Sequence, residues 1–473
     1  MKKLLGTVLA AALLLPPGLG NAEVLKNLAL SGNIDVTSVG TRNVRDFRSE
    51  DLDKIGPAAG RVLLNADWDL LDDAHATVTV GKVATAGRGL NNGTQPYREE
   101  IKQAKVKVDK VFGHVDMTAG RSYYGEPGDL VIRFGPSDAF GLPTSFIDAF
   151  VANAGNDTAE FTAMAGYVEA ANTNAAARTV AGNLVGASAY NILGSELWVK
   201  QAPMKVGFYG YRQETHQDLA PNDYLWVYGL KLRGEASGAW FHADAAFNAG
   251  ENRTSVGQYV YNGQAYLLKA GVNADVPNLG GISPWANFGW GSGRSASGAV
   301  QTDDAAKNDA FQSISCDYRP GIINRRFDGT QSTVGLYDSM TNSGSCGLSN
   351  RVIWGLGINF TPTAVADGKF TIGGQFWDYR AQRIDESLNG TLAQATNGVW
   401  TRAGGNRHIG SEFGFIASWK HSENVKFSTG WAHFTPGGFI ENQQNWNGAT
   451  GMRDATNGIK PISMVFGDMG IKF

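Results

Sequence analysis

Lys105, Lys107 and Asp109 occupy every second position of a segment whose intervening residues are Val106 and Val108. The same spacing puts Arg61, Asp67 and Asp69 on one side of 61–70, and Lys231 with Arg233 on one side of 224–233. Asp116, His242 with Asp244, Lys269, Glu412 with Lys420, Lys426 and Lys472 follow the same parity. Side chains spaced by two share one face of a β-strand. The chemistry open to such a face is electrostatic: Lys and Arg raise the local concentration of anions, and interspersed carboxylates keep binding weak enough for release. A second reading is open, in which these charges pair across strands and fill a wall, Lys231 beside Asp244 for example.

Covalent chemistry has no comparable signal. The histidines at 75, 114, 216, 242, 408, 421 and 433 show no HExxH and no pair with metal-ligand spacing. A GxSxG elbow, a P-loop and a GxGxxG after a strand are all missing. No enzymatic activity, cofactor or metal is therefore expected. Cys316 and Cys346 are the two cysteines; in an exported chain they read as one disulfide, with two free thiols as the alternative. Arg319, Arg325 and Arg326 follow the first of them, as anion collectors at an entrance or as solvated loop charge.

The elements that carry these residues alternate apolar and polar positions over about ten residues, the length at which a tilted strand crosses a bilayer. Val352, Trp354, Leu356, Ile358 and Phe360 form one such apolar face, and Phe413, Phe415, Ala417 and Trp419 another. The opposite faces are polar and rich in glycine, as suits a water-filled interior. About eighteen segments are predicted, with sixteen as the alternative count; they include 183–199 and 259–275. Links after even-numbered strands are short and those after odd-numbered strands mostly long, the longest at 293–350. That asymmetry predicts an all-β, antiparallel up-and-down transmembrane barrel with short periplasmic turns and long extracellular loops. Closure follows because no strand edge can stay unpaired in hydrocarbon.

Residue type also places the aromatic and apolar exceptions. Trp68, Tyr224, Trp226, Trp290, Trp354, Trp419 and Trp431 have outward parity, where amphipathic rings suit the headgroup boundary. Trp240, Trp285 and Trp377 have inward parity and could stack on sugar rings in a pore. The loop 123–144 holds the apolar run Leu130-Val131-Ile132. Such a run is costly in water, so the loop either folds into the mouth as a constriction or forms an exposed cap.

Of 473 residues, 18% are charged and 61 are glycine, and 50 aromatics exclude disorder. Lys2 and Lys3, the apolar run 4–15 and Gly20-Asn21-Ala22 describe a secretory signal peptide over 1–22, leaving 23–473 as one barrel domain. Its removal takes the charge balance from 41 basic and 44 acidic residues to 39 and 44. Neither that balance nor the compartment suits nucleic acid. The expected location is the outer membrane of a Gram-negative, diderm cell, with lipid as neighbour and a monomer or a homotrimer as the assembly. Val465, Gly467, Met469 and Ile471 lead to a terminal Phe473, which resembles the signature read by barrel-insertion machinery.

Two segments carry a family resemblance. His408-Ile409-Gly410-Ser411-Glu412-Phe413, then Gly430-Trp431-Ala432-His433-Phe434-Thr435-Pro436-Gly437, resembles the penultimate hairpin of the alginate-export family of outer-membrane barrels. Gly120-Arg121, followed by Phe146-Ile147-Asp148-Ala149-Phe150, is similar to that family's Gly-Arg strand end and returning Asp. The resemblance implies an eighteen-stranded channel for an anionic polysaccharide. That family's exporter gates with a sizeable periplasmic loop, whereas every periplasmic link here is short. The function expected is thus a channel for anionic or polar solutes, with polysaccharide export as its finer form. A general diffusion porin and a closed structural or adhesion barrel are the alternatives.

Overall fold

The computed structural model describes residues 26–43, 56, 58–86, 99–138, 142, 144–169, 179–180, 183–184, 189–215, 223–254, 257–293, 306–326, 347–383, 406–438, 446–447, 452–453 and 460–473. The signal peptide read at 1–22 lies outside them, as do Cys346 and much of 293–350.

Eighteen antiparallel strands form the wall. They are β1 (Lys26–Arg42), β2 (Ala58–Leu71), β3 (Ala74–Ala86), β4 (Glu100–Val111), β5 (Val115–Ser122) and β6 (Ile147–Gly155). Next come β7 (Ala159–Val168), β8 (Tyr190–Gln201), β9 (Met204–Thr215), β10 (Asp223–Ala236), β11 (Ala239–Thr254) and β12 (Gln264–Val272). The last are β13 (Gly280–Gly291), β14 (Arg351–Pro362), β15 (Phe370–Ala381), β16 (His408–Lys420), β17 (Val425–Pro436) and β18 (Ile462–Lys472). Each pairs with its neighbour in the chain, and β1 closes the ring on β18 from Asn33↔Lys472 to Arg42↔Ser463. No edge is left open, which is what a hydrocarbon surround demands. At the seam Gly32 and Phe473 exchange backbone hydrogen bonds of 2.8 and 3.0 Å. A Cβ on Gly32 would stand 2.8 Å from the Phe473 ring, so the closing turn of sheet needs glycine there.

The two faces reverse the pattern of a soluble protein. Leu193, Phe208, Leu356, Ile358 and Val465 point outward and are exposed, while Arg61, Lys231, Arg351 and Glu412 are buried inside. An apolar exterior around a charged interior has hydrocarbon as its matching solvent. No helix among the described residues is long and apolar enough to cross a membrane.

Two predicted strands are corrected. The segment expected at 183–199 is β8 at Tyr190–Gln201; Asn183–Leu184 instead pairs with Thr179–Val180 in a separate small hairpin. The segment expected at 259–275 is broken before Gln264. Gly263 sits so close to the backbone of Ala310 and Phe311 that a Cβ there would meet Phe311 Cα at 2.5 Å. The returning long loop takes the place that a continuous strand would need. Gly257–Tyr261 pairs with the end of β11 and, in parallel, with Ala306–Asn308.

Candidate functional site

Two connections fold into the barrel. The first, between β5 and β6, is described at 123–138, 142 and 144–146; the second is 306–326 between β13 and β14. The inner wall explains why. From β6 to β12 it carries an apolar patch, with Ile147, Met164, Ile192, Val227 and Leu267 buried. Leu130, Val131, Ile132 and Phe134 pack on it as one cluster, each 1% exposed. The constriction form of the loop is the one observed, because the apolar run has a matching wall to bury against. The second segment runs across the first: Ile314 and Ser315 N–H donate to Val131 O at 3.1 and 3.0 Å, and Asp317 N–H donates to Asp129 O at 2.8 Å.

Polar anchors hold both segments to the wall. Lys231 donates to Asp129 at 2.7 Å and lies 3.2 Å from Glu196, all within a buried setting. Arg61 Nη1 donates to Ser137 O at 2.7 Å, and its Nη2 to Asp35 at 2.7 Å. Asn248 and Gln312 exchange hydrogen bonds of 2.9 and 2.7 Å. Tyr318 Oη donates to Asn287 at 2.9 Å. The Glu412 carboxylate accepts from the N–H groups of Ile322 and Ile323, at the start of the short helix α1 (Ile323–Arg326). Gly321, with φ of 88°, passes so close to Tyr379 and Glu412 that no side chain fits there. Arg326, at the end of α1, donates to Asp468 at 2.6 Å and to Thr37 at 3.0 Å.

Below the crossing, toward the short turns, lies a cavity of about 990 Å³. Six basic residues line it: Arg61, Lys269, Arg319, Arg325, Arg326 and Lys426. Four acidic ones face them, Asp35, Asp138, Asp317 and Asp468. Three of the arginines arrive on the second inward segment, and the lining also includes Trp240, Trp285 and Trp377. Asp138 is held low: burial alone would raise its carboxyl, but Arg325, bonded to it at 2.8 Å, keeps it below the usual carboxylate range. Asp138 thus stays charged at neutral pH, and six basic residues against four acidic ones give the lining a formal cationic excess.

The ten side chains singled out from sequence all rise from inward positions of the register, but they do not form one site. Arg61 and Lys269 line the cavity. Lys231 and Glu412 hold the inward segments instead. Arg233 pairs with Asp244 at 2.7 Å, so the expected partnership of Lys231 with Asp244 gives way to Asp129. Lys107 is bound to Asp109 and Asp116 at 2.6 and 3.1 Å. Lys105 faces inward on β4 between Thr77 and Gly120. Lys420 lies 3.3 Å from Glu423 at a short turn. Cys316 is disulfide-bonded, and Cys346, the chain's other cysteine, lies outside the described residues.

Sequence reasoning read the three arginines as anion collectors at an entrance or as solvated loop charge, neither of them inside, and it passed over Asp129, Asp35 and Asp468. Parity alone could have found Asp35 and Asp468, which oppose Arg61 and Thr37 in the register. Nothing local marks Asp129 beyond its place before the apolar run.

No protein-family model matches the chain, and no curated protein matches it. Solved structures do match in fold. OpdQ from Pseudomonas aeruginosa shares 11% identity over 96% of this chain and 99% of that one, with a TM-score of 0.56. OccK8 (OprE) from the same organism shares 10% over 96% and 99%, at 0.55. The outer membrane protein OprD of that organism shares 11% over 96% of each chain, at 0.54. The chain therefore has the fold of a porin-like, Gram-negative outer-membrane β-barrel of eighteen strands.

Proposed function

We propose that this barrel is a channel for small anionic solutes, exported to the outer membrane by the signal read at 1–22. The cationic cavity beneath two crossed inward segments carries the reading. An anion gains there from Arg319, Lys269 and Lys426, while the carboxylates opposite limit its residence. A general diffusion porin needs no such concentration of charge on one docked segment. Polysaccharide export, the finer implication of the alginate-export resemblance, would need a polymer to thread past segments tied to the wall by buried pairs. Small solutes fit the anchored arrangement better.

Reversal potentials across a salt gradient in planar bilayers test this. The protein should prefer chloride to potassium. Lys426→Glu, on an exposed part of the cavity wall, changes the local charge by two units. At ~8 Å in a wet lumen that costs a monovalent anion ~1 kcal/mol, or roughly a fivefold drop in its local concentration, while the cation gains by a similar factor. An unchanged reversal potential would remove the selectivity argument. A barrel that never conducts would leave the closed structural reading in its place.

A further inference from the structure

Register aligns the inward tryptophans with glycines. Trp240 on β11 stands opposite Gly271 on β12, and Gly271 stands opposite Trp285 on β13. Trp285 in turn faces Gly357 on β14, and one step along β14 Gly355 faces Trp377 on β15. A Cβ on Gly271 would lie 2.7 Å from Cζ2 of Trp240, and Cβ atoms on Gly357 and Gly355 would strike the rings of Trp285 and Trp377. Each indole therefore lies down over a bare stretch of neighbouring backbone rather than standing off it. For Trp240 and Trp285, one side of the ring is spent on the sheet, and both residues line the cavity. Both are half-buried; Trp377 is buried, 5.4 Å from Trp285 between ring centroids.

Glycine in mid-strand weakens a sheet relative to alanine. Repeating it under three consecutive inward tryptophans builds a stripe climbing from near the short turns toward the crossing. Beside it Asn287, Asn359 and Gln375 offer amide donors and acceptors, and the arginines of the second inward segment line the same cavity. A flat apolar face, amides at its edge and cations in the same cavity match a pyranose ring. The ring's C–H faces meet the negative π surface, its hydroxyls meet the amides, and its acid group meets the guanidinium bank. An open-chain solute has no flat face to offer.

We propose that Trp240 and Trp285 form a stacking subsite for the ring of an anionic sugar. This rests on the anion-channel reading above and names a solute class for it. Single-channel recording with methyl glucuronide, its ring locked, and gluconate, open-chain with the same charge, is the test. The glucuronide should block with residence times at least fivefold longer. Trp240→Leu should bring it to the gluconate level, with residence times of both solutes compared within the same variant, and Trp240→Phe should keep most of the difference. A conducting channel that both solutes block alike, or whose glucuronide block survives Trp240→Leu, overturns the subsite and leaves the channel reading standing. Should the barrel carry no current, the channel reading fails, and tryptophan fluorescence of the detergent-solubilised protein decides the subsite alone. A spectral shift with glucuronide but not gluconate, lost in Trp240→Leu, supports it; equal or absent shifts overturn it.

Discussion

Lys231→Met should cost about 3–5 kcal/mol of the free energy that docks 123–146 in the lumen, the scale expected when one partner of a buried ion pair is removed. The side chains of Lys231 and Asp129 are only 5% and 2% exposed, so water cannot replace the lost ammonium. Glu196 loses its cation in the same step, and the Tyr209 ring loses a charge that sits 5.1 Å from its centroid. The expected result is a lower thermal midpoint in detergent together with larger, noisier single-channel conductance, as the segment leaves the wall. A partner change separates charge from shape. Asp129 also accepts from Val131 and Ile132 N–H at 2.7 and 3.0 Å, and asparagine can keep both bonds without a charge. Lys231→Met with Asp129→Asn should therefore recover at least half of the loss. If the double variant is as unstable as the single one, the penalty does not come from an orphaned carboxylate.

Acidity gives a second handle on the same pair. Burial alone would raise the Asp129 carboxyl, but the adjacent Lys231 ammonium and the two backbone N–H groups hold it below the usual carboxylate range. A depressed folded value means that its stabilising contribution is complete above the ordinary carboxylate pKa, about 4. It fades only as pH falls through the lower folded value. Conductance noise should thus stay flat from pH 7 to 5 and rise only in stronger acid.

The wall was legible in the sequence because a strand has period two and a membrane barrel has unlike solvents on its faces. Trp68 and Asp67 are neighbours in the chain, and parity alone sent them to opposite sides, as the register has them. The strand number followed from turn lengths for the same reason. What fills the lumen was less legible. Register states which residues face each other, not which side chain wins a contact. Lys231 does face Asp244 across the ladder, yet Arg233 takes that carboxylate and Lys231 reaches a loop residue 102 positions away. The apolar run at Leu130 signalled burial but not its depth, since that depends on an apolar patch of the inner wall assembled from seven strands. The broken strand before Gln264 was hidden for a related reason, because Gly263 yields to a segment nearly fifty residues later in the chain.

Glu412→Ala should detach the arginine-bearing segment and with it most of the anion preference. The first N–H groups of a helix have no partners inside it, and α1 has no acidic residue in its own first turn. Glu412, projecting from β16 and 1% exposed, supplies the acceptor from outside by taking the Ile322 and Ile323 N–H groups. Alanine leaves two buried donors unsatisfied, at about 1–3 kcal/mol each, and Tyr379 loses its 3.4 Å bond to the carboxylate. Arg325 and Arg326 belong to α1, and Arg319 precedes it by a few residues, so this carboxylate helps to set their positions in the cavity, together with Asp138 and Asp468. The reversal potential should move toward zero in Glu412→Ala by more than in Lys426→Glu, although the changed residue does not line the cavity. Glu412→Gln keeps an oxygen for the two N–H groups and should stay near the parent protein. Should alanine and glutamine shift selectivity equally, the carboxylate's charge rather than its capping of α1 would be what matters, and the segment's placement would need another support.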